Sequence, residues 1–324
     1  MSATFALGLD IGGTKLYGGV VNLETGHIVG SARKRTHPER GAKFFSQRLV
    51  AVAKEALAAA PEQASQHVTT IGVGIAGQID RAHGMLISGP NLGQGLDNLP
   101  LSTLLGAEFS LPIVVGNDVE VATYGEQHYG AGRGARDFIC VFVGTGIGAG
   151  IVSNGELRAG ATGTAGEVGH MVVHYGGRIC GCGGRGHLEA YASRTAITHV
   201  LLAELGRGRP SKLREELKDG ETVIRSGMLA RALEQHDALT LEALTEGAEY
   251  LGAGLGSIAT VYNPERVIVG GGLVEAIPLF LAHAAARARE TALPVVGRAL
   301  QIVKSGLGDD AGVVGAAWMA ANHA

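Results

Sequence analysis

The stretch LGLDIGGTKLYGGVV, residues 7–21, and the stretch VFVGTGIGAGIVSNG, residues 141–155, are weak copies of one device. Each reads as an apolar strand, a Gly/Thr turn and a second strand. In the first, Phe5–Asp10 and Lys15–Asn22 flank Ile11–Thr14; in the second, Phe138–Val143 and Ile147–Ser153 flank Gly144-Thr145-Gly146. An internal repeat this far apart predicts two similar lobes, each offering a Gly-rich turn to a shared cleft.

The rest of the chain is of α/β type. Val68–Ala76, Pro112–Val115 and Arg266–Val269 read as buried strands. Helices are expected over Gly41–Ala60, Asp118–Tyr129, Thr195–Leu205, Thr240–Tyr262, Val274–Arg289 and Ala311–Ala321. The charged, Gly-containing stretch Gly206–Glu221 reads as a surface excursion. The expected division is a smaller lobe, 1–116 plus 306–324, and a larger lobe, 117–305.

With 324 residues, 46% of them hydrophobic and 18% charged, the chain can bury two sizeable cores. A net charge of −3 with scattered Lys and Arg gives no footprint for nucleic acid or an anionic membrane. The start, MSATFALGLDIGG, lacks a basic leader, and no apolar run is long enough to span a bilayer, so a cytoplasmic protein is expected. Glycine is in excess, at 52 residues against a usual share of about 7%. The glycines cluster at Gly12-Gly13, Gly144–Gly150, Gly181–Gly186 and Gly270–Gly272, as ligand-binding loops require.

A Gly-rich turn between strands directs backbone N–H groups into one concavity, which suits phosphate oxygens. Thr14 and Thr145 add hydroxyls, Lys15 a cation, and Asp10 a carboxylate for Mg2+. No G-x-x-x-x-G-K-[ST] motif is present. Residues 144–149 fit a loose dinucleotide fingerprint, but a strand and turn follow where that fingerprint needs a helix. Gly116-Asn117-Asp118 closes a strand and opens a helix. Asn117 with Glu120 reads as a capping box, and Asp118 beside it is placed to accept a proton from a hydroxyl. His170, Cys180, Cys182 and His187 supply four zinc-type ligands in a short loop, and in a reducing compartment they read as metal-binding before disulfide. Cys140, in an apolar strand, reads as core.

The ordered set DIGGTK (10–15), GIAGQID (74–80), GPNL (89–92), GND (116–118), VGTGIGAG (143–150), GEVGH (166–170), CGCGGRGHLEAYAS (180–193) and GGG (270–272) resembles the ROK family of repressors and sugar kinases, within it the bacterial glucokinases. The resemblance covers nearly the whole chain. It implies two RNase H-like lobes of the actin-like ATPase fold, closing on ATP, Mg2+ and a hexose. It implies that Gly77, Asn91, Asn117, Asp118, Glu167, His170 and Glu189 bind the sugar, with Asp118 as general base. Nucleotide contacts would come from Gly12, Gly13, Thr14, Gly144, Thr145, Gly146, Gly271 and Gly272, with Asp10 and Lys15 beside them. His170 would bind structural Zn2+ through one ring nitrogen and sugar through the other. The family usually has a third Cys where His187 stands, and commonly Pro at the position of Ala76. A homodimer or homotetramer is also implied.

Glucose is the expected acceptor. Fructose, mannose, N-acetylmannosamine and N-acetylglucosamine are the alternatives, with polyphosphate as alternative donor. A repressor of the same family would need a helix-turn-helix segment ahead of the first strand, which is expected to begin at Phe5. A non-catalytic sugar-binding protein is the other rival, against which the complete phosphate turns and Asp118 argue.

Overall fold

The computed structural model describes residues 4–89, 92, 95–217 and 222–323. These divide into two compact units, Met1–Gly134 with Asp309–Ala324, and Ala135–Gly308.

In the first unit, the strands β1 (Phe5–Ile11), β2 (Lys15–Asn22), β3 (Ile28–Arg35) and β4 (Val68–Ile75) are followed by a small hairpin, β5 (Gln78–Asp80) and β6 (Met85–Ser88), and by β7 (Ile113–Asn117). The main sheet has the order β3-β2-β1-β4-β7. Its first three strands form an antiparallel meander, while β4 and β7 join β1 in parallel. The second unit holds β8 (Phe138–Val143), β9 (Ile147–Ser153), β10 (Glu156–Leu157), β11 (Arg266–Gly270) and β12 (Ile302–Lys304). Its order is β10-β9-β8-β11-β12, again an antiparallel meander continued by two parallel strands. The repeat seen in residues 7–21 and 141–155 is therefore a repeat of whole sheets, and the chain has the two-lobe α/β fold expected.

The central strands are apolar on both sides because both faces are covered. In β1, Leu7, Leu9 and Ile11 pack with Phe45, Leu49 and Val52 of the helix Gly41–Ala59. The opposite face receives the C-terminal helix Ala311–His323, itself packed on the helix Asp118–Tyr129 through Val121, Ala316 and Met319. That packing moves the division between lobes. The first unit runs through Gly134 and not to 116, because the helix Asp118–Tyr129 belongs with the C-terminal helix. A Cβ at Gly315 would stand 1.6 Å from the carbonyl oxygen of Val121, so only glycine lets these helices meet this closely. The return of the chain falls at Asp309, close to the expected 306.

The second unit's core is built on the long helix Ala238–Tyr262, with the helices Arg194–Gly206, Ser226–Glu234 and Pro278–Thr291 contributing. The expected helix Val274–Arg289 is two helices, Gly272–Ala276 and Pro278–Thr291. Proline at the first position of the second has no N–H to continue the first. The stretch expected as a surface excursion buries Leu213 completely in this core.

Candidate functional site

Each unit carries its own set of candidate residues. On the first, β1 and β2 are joined by Gly12-Gly13-Thr14, closed by a bond from Gly12 N–H to Lys15 C=O at 2.9 Å. Thr36, fully buried at the end of β3, clamps this turn. Its hydroxyl donates to Gly12 C=O at 2.7 Å and its N–H to Thr14 C=O at 3.2 Å. Nothing in the sequence marked Thr36, since it lies outside the glycine motif.

Asp10 lies at the end of β1 against Gly312, whose added Cβ would come within 2.8 Å of the carboxylate carbon. Burial pushes its pKa up to about 6, partly countered by Lys15 and increased by Asp309. The expected phosphate-binding Lys15 has a partner, Asp309 Oδ2 at 3.3 Å. Beside it, Tyr17 donates its hydroxyl to Asp310 at 2.7 Å, with the Arg33 guanidinium over the Tyr17 ring. Asp309 and Asp310 went unread because they reach this turn only through the C-terminal helix that follows them.

Asn117 caps the helix Asp118–Tyr129 as expected. Its side-chain oxygen accepts from Val119 and Glu120 N–H, and Glu120 reaches back to Asn117 N–H. Its amide also donates to Gly77 C=O at 3.2 Å, which among the described residues leaves its second N–H for a ligand. Asp118 is thus fixed in the first turn of a well-capped helix. Asn91 lies outside the described residues.

On the second unit, Gly144-Thr145-Gly146 joins β8 to β9, closed by Gly144 N–H to Gly146 C=O at 2.9 Å. The turn Gly270-Gly271-Gly272 lies beside it, at the end of the neighbouring parallel strand β11. Gly271 has φ of 95°, and a Cβ there would stand 2.5 Å from Val143 C=O, so glycine alone lets the two turns abut. Both turns open at the carboxyl ends of parallel strands, where open α/β sheets bind ligands.

The loop after β10 carries the metal-type residues. The ligand atoms of His170, Cys180, Cys182 and His187 all lie within 4.8 Å of one another. His170 Nδ1 is 3.7 Å from Cys180 Sγ, and His187 Nδ1 is 3.2 Å from Cys182 Sγ. Tetrahedral zinc with bonds of about 2.0–2.3 Å separates its ligands by roughly these distances, so the donor set fits Zn2+. Burial pushes the Cys180 thiol up to about 11, and a divalent cation among these side chains would reverse that preference. The other nitrogen of His170, Nε2, faces Glu167 Oε2 at 3.7 Å. Glu189 links this loop to the turn: Oε2 accepts from Ile147 N–H at 2.9 Å, and Oε1 lies 3.6 Å from the Cys180 thiol.

Arg194 is a residue that motif reading missed. Its guanidinium donates to Thr145 Oγ1 at 2.7 Å.

Comparison with known proteins places these features in a family context. The ROK family model matches residues 6–323. A glucokinase of Halalkalibacterium halodurans is 32% identical over 320 residues, covering 98% of this chain and 96% of that protein. The crystal structure of a ROK family glucokinase from Streptomyces griseus in complex with glucose and AMPPNP superposes with a TM-score of 0.84 at 32% identity, covering 98% of this chain and 99% of that one. The xylose repressor of Bacillus spizizenii is 26% identical over 321 residues, 99% of this chain and 78% of that protein.

Proposed function

The chain belongs to the ROK family, and from that premise we infer that it is an ATP-dependent hexose kinase forming glucose 6-phosphate from glucose. The observation that carries this reading is the duplicated Gly/Thr hairpin at the same place in two sheets of identical order, one copy next to Asp10 and in the same sheet as the strand β7 that leads into Asp118.

Phosphoryl transfer asks for positioning and charge stabilisation more than covalent chemistry. Asp118 accepts the proton of the acceptor hydroxyl as that oxygen bonds to the terminal phosphorus. The bond from this phosphorus to the bridging oxygen breaks, and ADP leaves. Gly77, the spare amide N–H of Asn117, Glu167, His170 and Glu189 are assigned to the sugar hydroxyls, together with Asn91 on the family resemblance. Gly12, Gly13, Thr14, Lys15, Gly144, Thr145, Gly146, Gly271 and Gly272 are assigned to the nucleotide. Asp10 would hold Mg2+, which screens phosphate charge when bound. His170, Cys180, Cys182 and His187 would hold Zn2+ in a structural role, fixing the loop that presents Glu167, His170 and Glu189. Such a reaction feeds glycolysis. Among the described residues no helix is long and apolar enough to cross a membrane.

The xylose repressor relative keeps a sugar-binding regulator as the second reading. An ADP-release assay over glucose, fructose, mannose and the N-acetylhexosamines, with ATP and polyphosphate as donors, decides between them. Glucose-dependent ADP release is expected. Sugar binding without any turnover would make the chain a regulator.

A further inference from the structure

The second unit's turn is held by the start of one helix. Ser193 caps the helix Arg194–Gly206, its hydroxyl accepting from Ala196 N–H at 3.1 Å. The next two residues grip the turn. Arg194 N–H donates to Gly144 C=O at 2.9 Å, and the Thr195 hydroxyl donates to Thr145 C=O at 2.8 Å. The Arg194 side chain then curls over the turn and donates through Nη2 to Thr145 Oγ1 at 2.7 Å.

That last bond has a direction. A guanidinium only donates, so the Thr145 oxygen must accept. Its own O–H proton is therefore available to another acceptor. In a turn lined by backbone N–H groups, a phosphoryl oxygen is such an acceptor. Burial, and next the nearby Arg225 guanidinium, both disfavour the charged form of Arg194 and hold its pKa below the usual arginine value. A cation kept in such surroundings gains when an anion arrives.

We propose that Arg194 is a phosphate-positioning residue: it orients the Thr145 hydroxyl as a donor to a phosphoryl oxygen of the nucleotide and adds positive charge behind it. The proposal rests on reading Gly144–Gly146 as a nucleotide turn. It extends that reading to a residue on a different element.

Calorimetric titration with ATP, ADP and adenosine tests it on the parent chain, Arg194→Met, Arg194→Lys and Arg194→Met combined with Thr145→Val. Removal of one charge-assisted bond predicts that Arg194→Met weakens ATP and ADP by about tenfold. Adenosine affinity and glucose KM should stay within about twofold, since the role is confined to phosphate. Arg194→Lys should recover part of the loss. With Thr145 already replaced, the further cost of Arg194→Met should shrink. If Arg194→Met does not fold, Thr145→Val alone must weaken ATP selectively over adenosine. Unchanged ATP binding, or equal weakening of ATP and adenosine, makes Arg194 a scaffold residue and overturns the proposal. A parent chain that binds no ATP removes the nucleotide reading itself, a result distinct from either.

Discussion

Ile147 N–H donates to Glu189 Oε2 at 2.9 Å, so the strand leaving one Gly/Thr turn is tied to the loop bearing the Cys/His cluster. The other oxygen of Glu189 lies 3.6 Å from the Cys180 thiol. Glu189 therefore joins the Cys/His loop to β9 through both of its carboxylate oxygens.

Glu189→Gln keeps the side chain's size and an oxygen for Ile147 N–H but removes the negative charge. The expected outcome is a glucose KM raised by about tenfold, the worth of one hydrogen bond to a charged group, with ATP KM within about twofold. Steady-state kinetics in both substrates measure this. Equal increases in both constants would make Glu189 a link between loop and turn and no sugar contact.

Asp118→Asn should fold normally, because the cap of its helix is made by Asn117 and Glu120. Loss of a positioned base predicts a fall in kcat of at least about 10²-fold with glucose affinity largely kept. A kcat within a few-fold of the parent removes Asp118 from that role.

Asp10 yields a pH prediction with a definite sign. Its pKa is pushed up from 3.8 to about 6, chiefly by burial, so between these values the folded chain binds the proton more tightly than the unfolded one. This contribution to stability is present at low pH and is lost as pH rises through about 6. Asp10→Asn, which never ionises, should thus raise the thermal midpoint relative to the parent at pH 8 and lose that advantage near pH 4. The same variant should lose turnover with MgATP, and the parent's kcat/KM for MgATP should decline below about pH 6. Thermal melts and kinetics across that range check both. A variant no more stable than the parent at pH 8 would show that the buried carboxylate carries no such penalty.

Much of this was legible because strand–turn–strand signals are local. Lys15–Asn22, Phe138–Val143, Ile147–Ser153 and Asp118–Tyr129 have the expected bounds, since each is set by neighbouring residues. The capping box at Asn117 was equally local. What stayed hidden depends on residues distant in sequence. Thr36 clamps the first turn from the end of another strand, Asp309 meets Lys15 only through the final helix, and Arg194 reaches Thr145 from a helix of its own. None carries a motif. The lobe boundary was missed for the same reason: Gly315 permits a contact with Val121 that no periodicity announces.

The metal cluster gives the last prediction. Two histidines and two cysteines supply two thiolates, where the family's usual three cysteines would supply three. Neutral imidazole must replace the missing thiolate, so His187 has to be deprotonated to bind. The His187–Cys182 separation of 3.2 Å and the His170–Cys180 separation of 3.7 Å leave the donors grouped for a single tetrahedral ion. One zinc per chain is therefore expected in freshly purified protein. His187→Cys, which restores the third thiolate, should hold zinc more tightly and down to lower pH. Stripping the metal should raise glucose KM far more than ATP KM, because His170 and Glu189 are the residues the loop presents. Elemental analysis, a chelator competition for both forms and kinetics before and after chelation measure each part. Zinc-free protein with full activity would reduce the cluster to a turn held by its own hydrogen bonds, and His187→Cys would then change neither affinity nor rate.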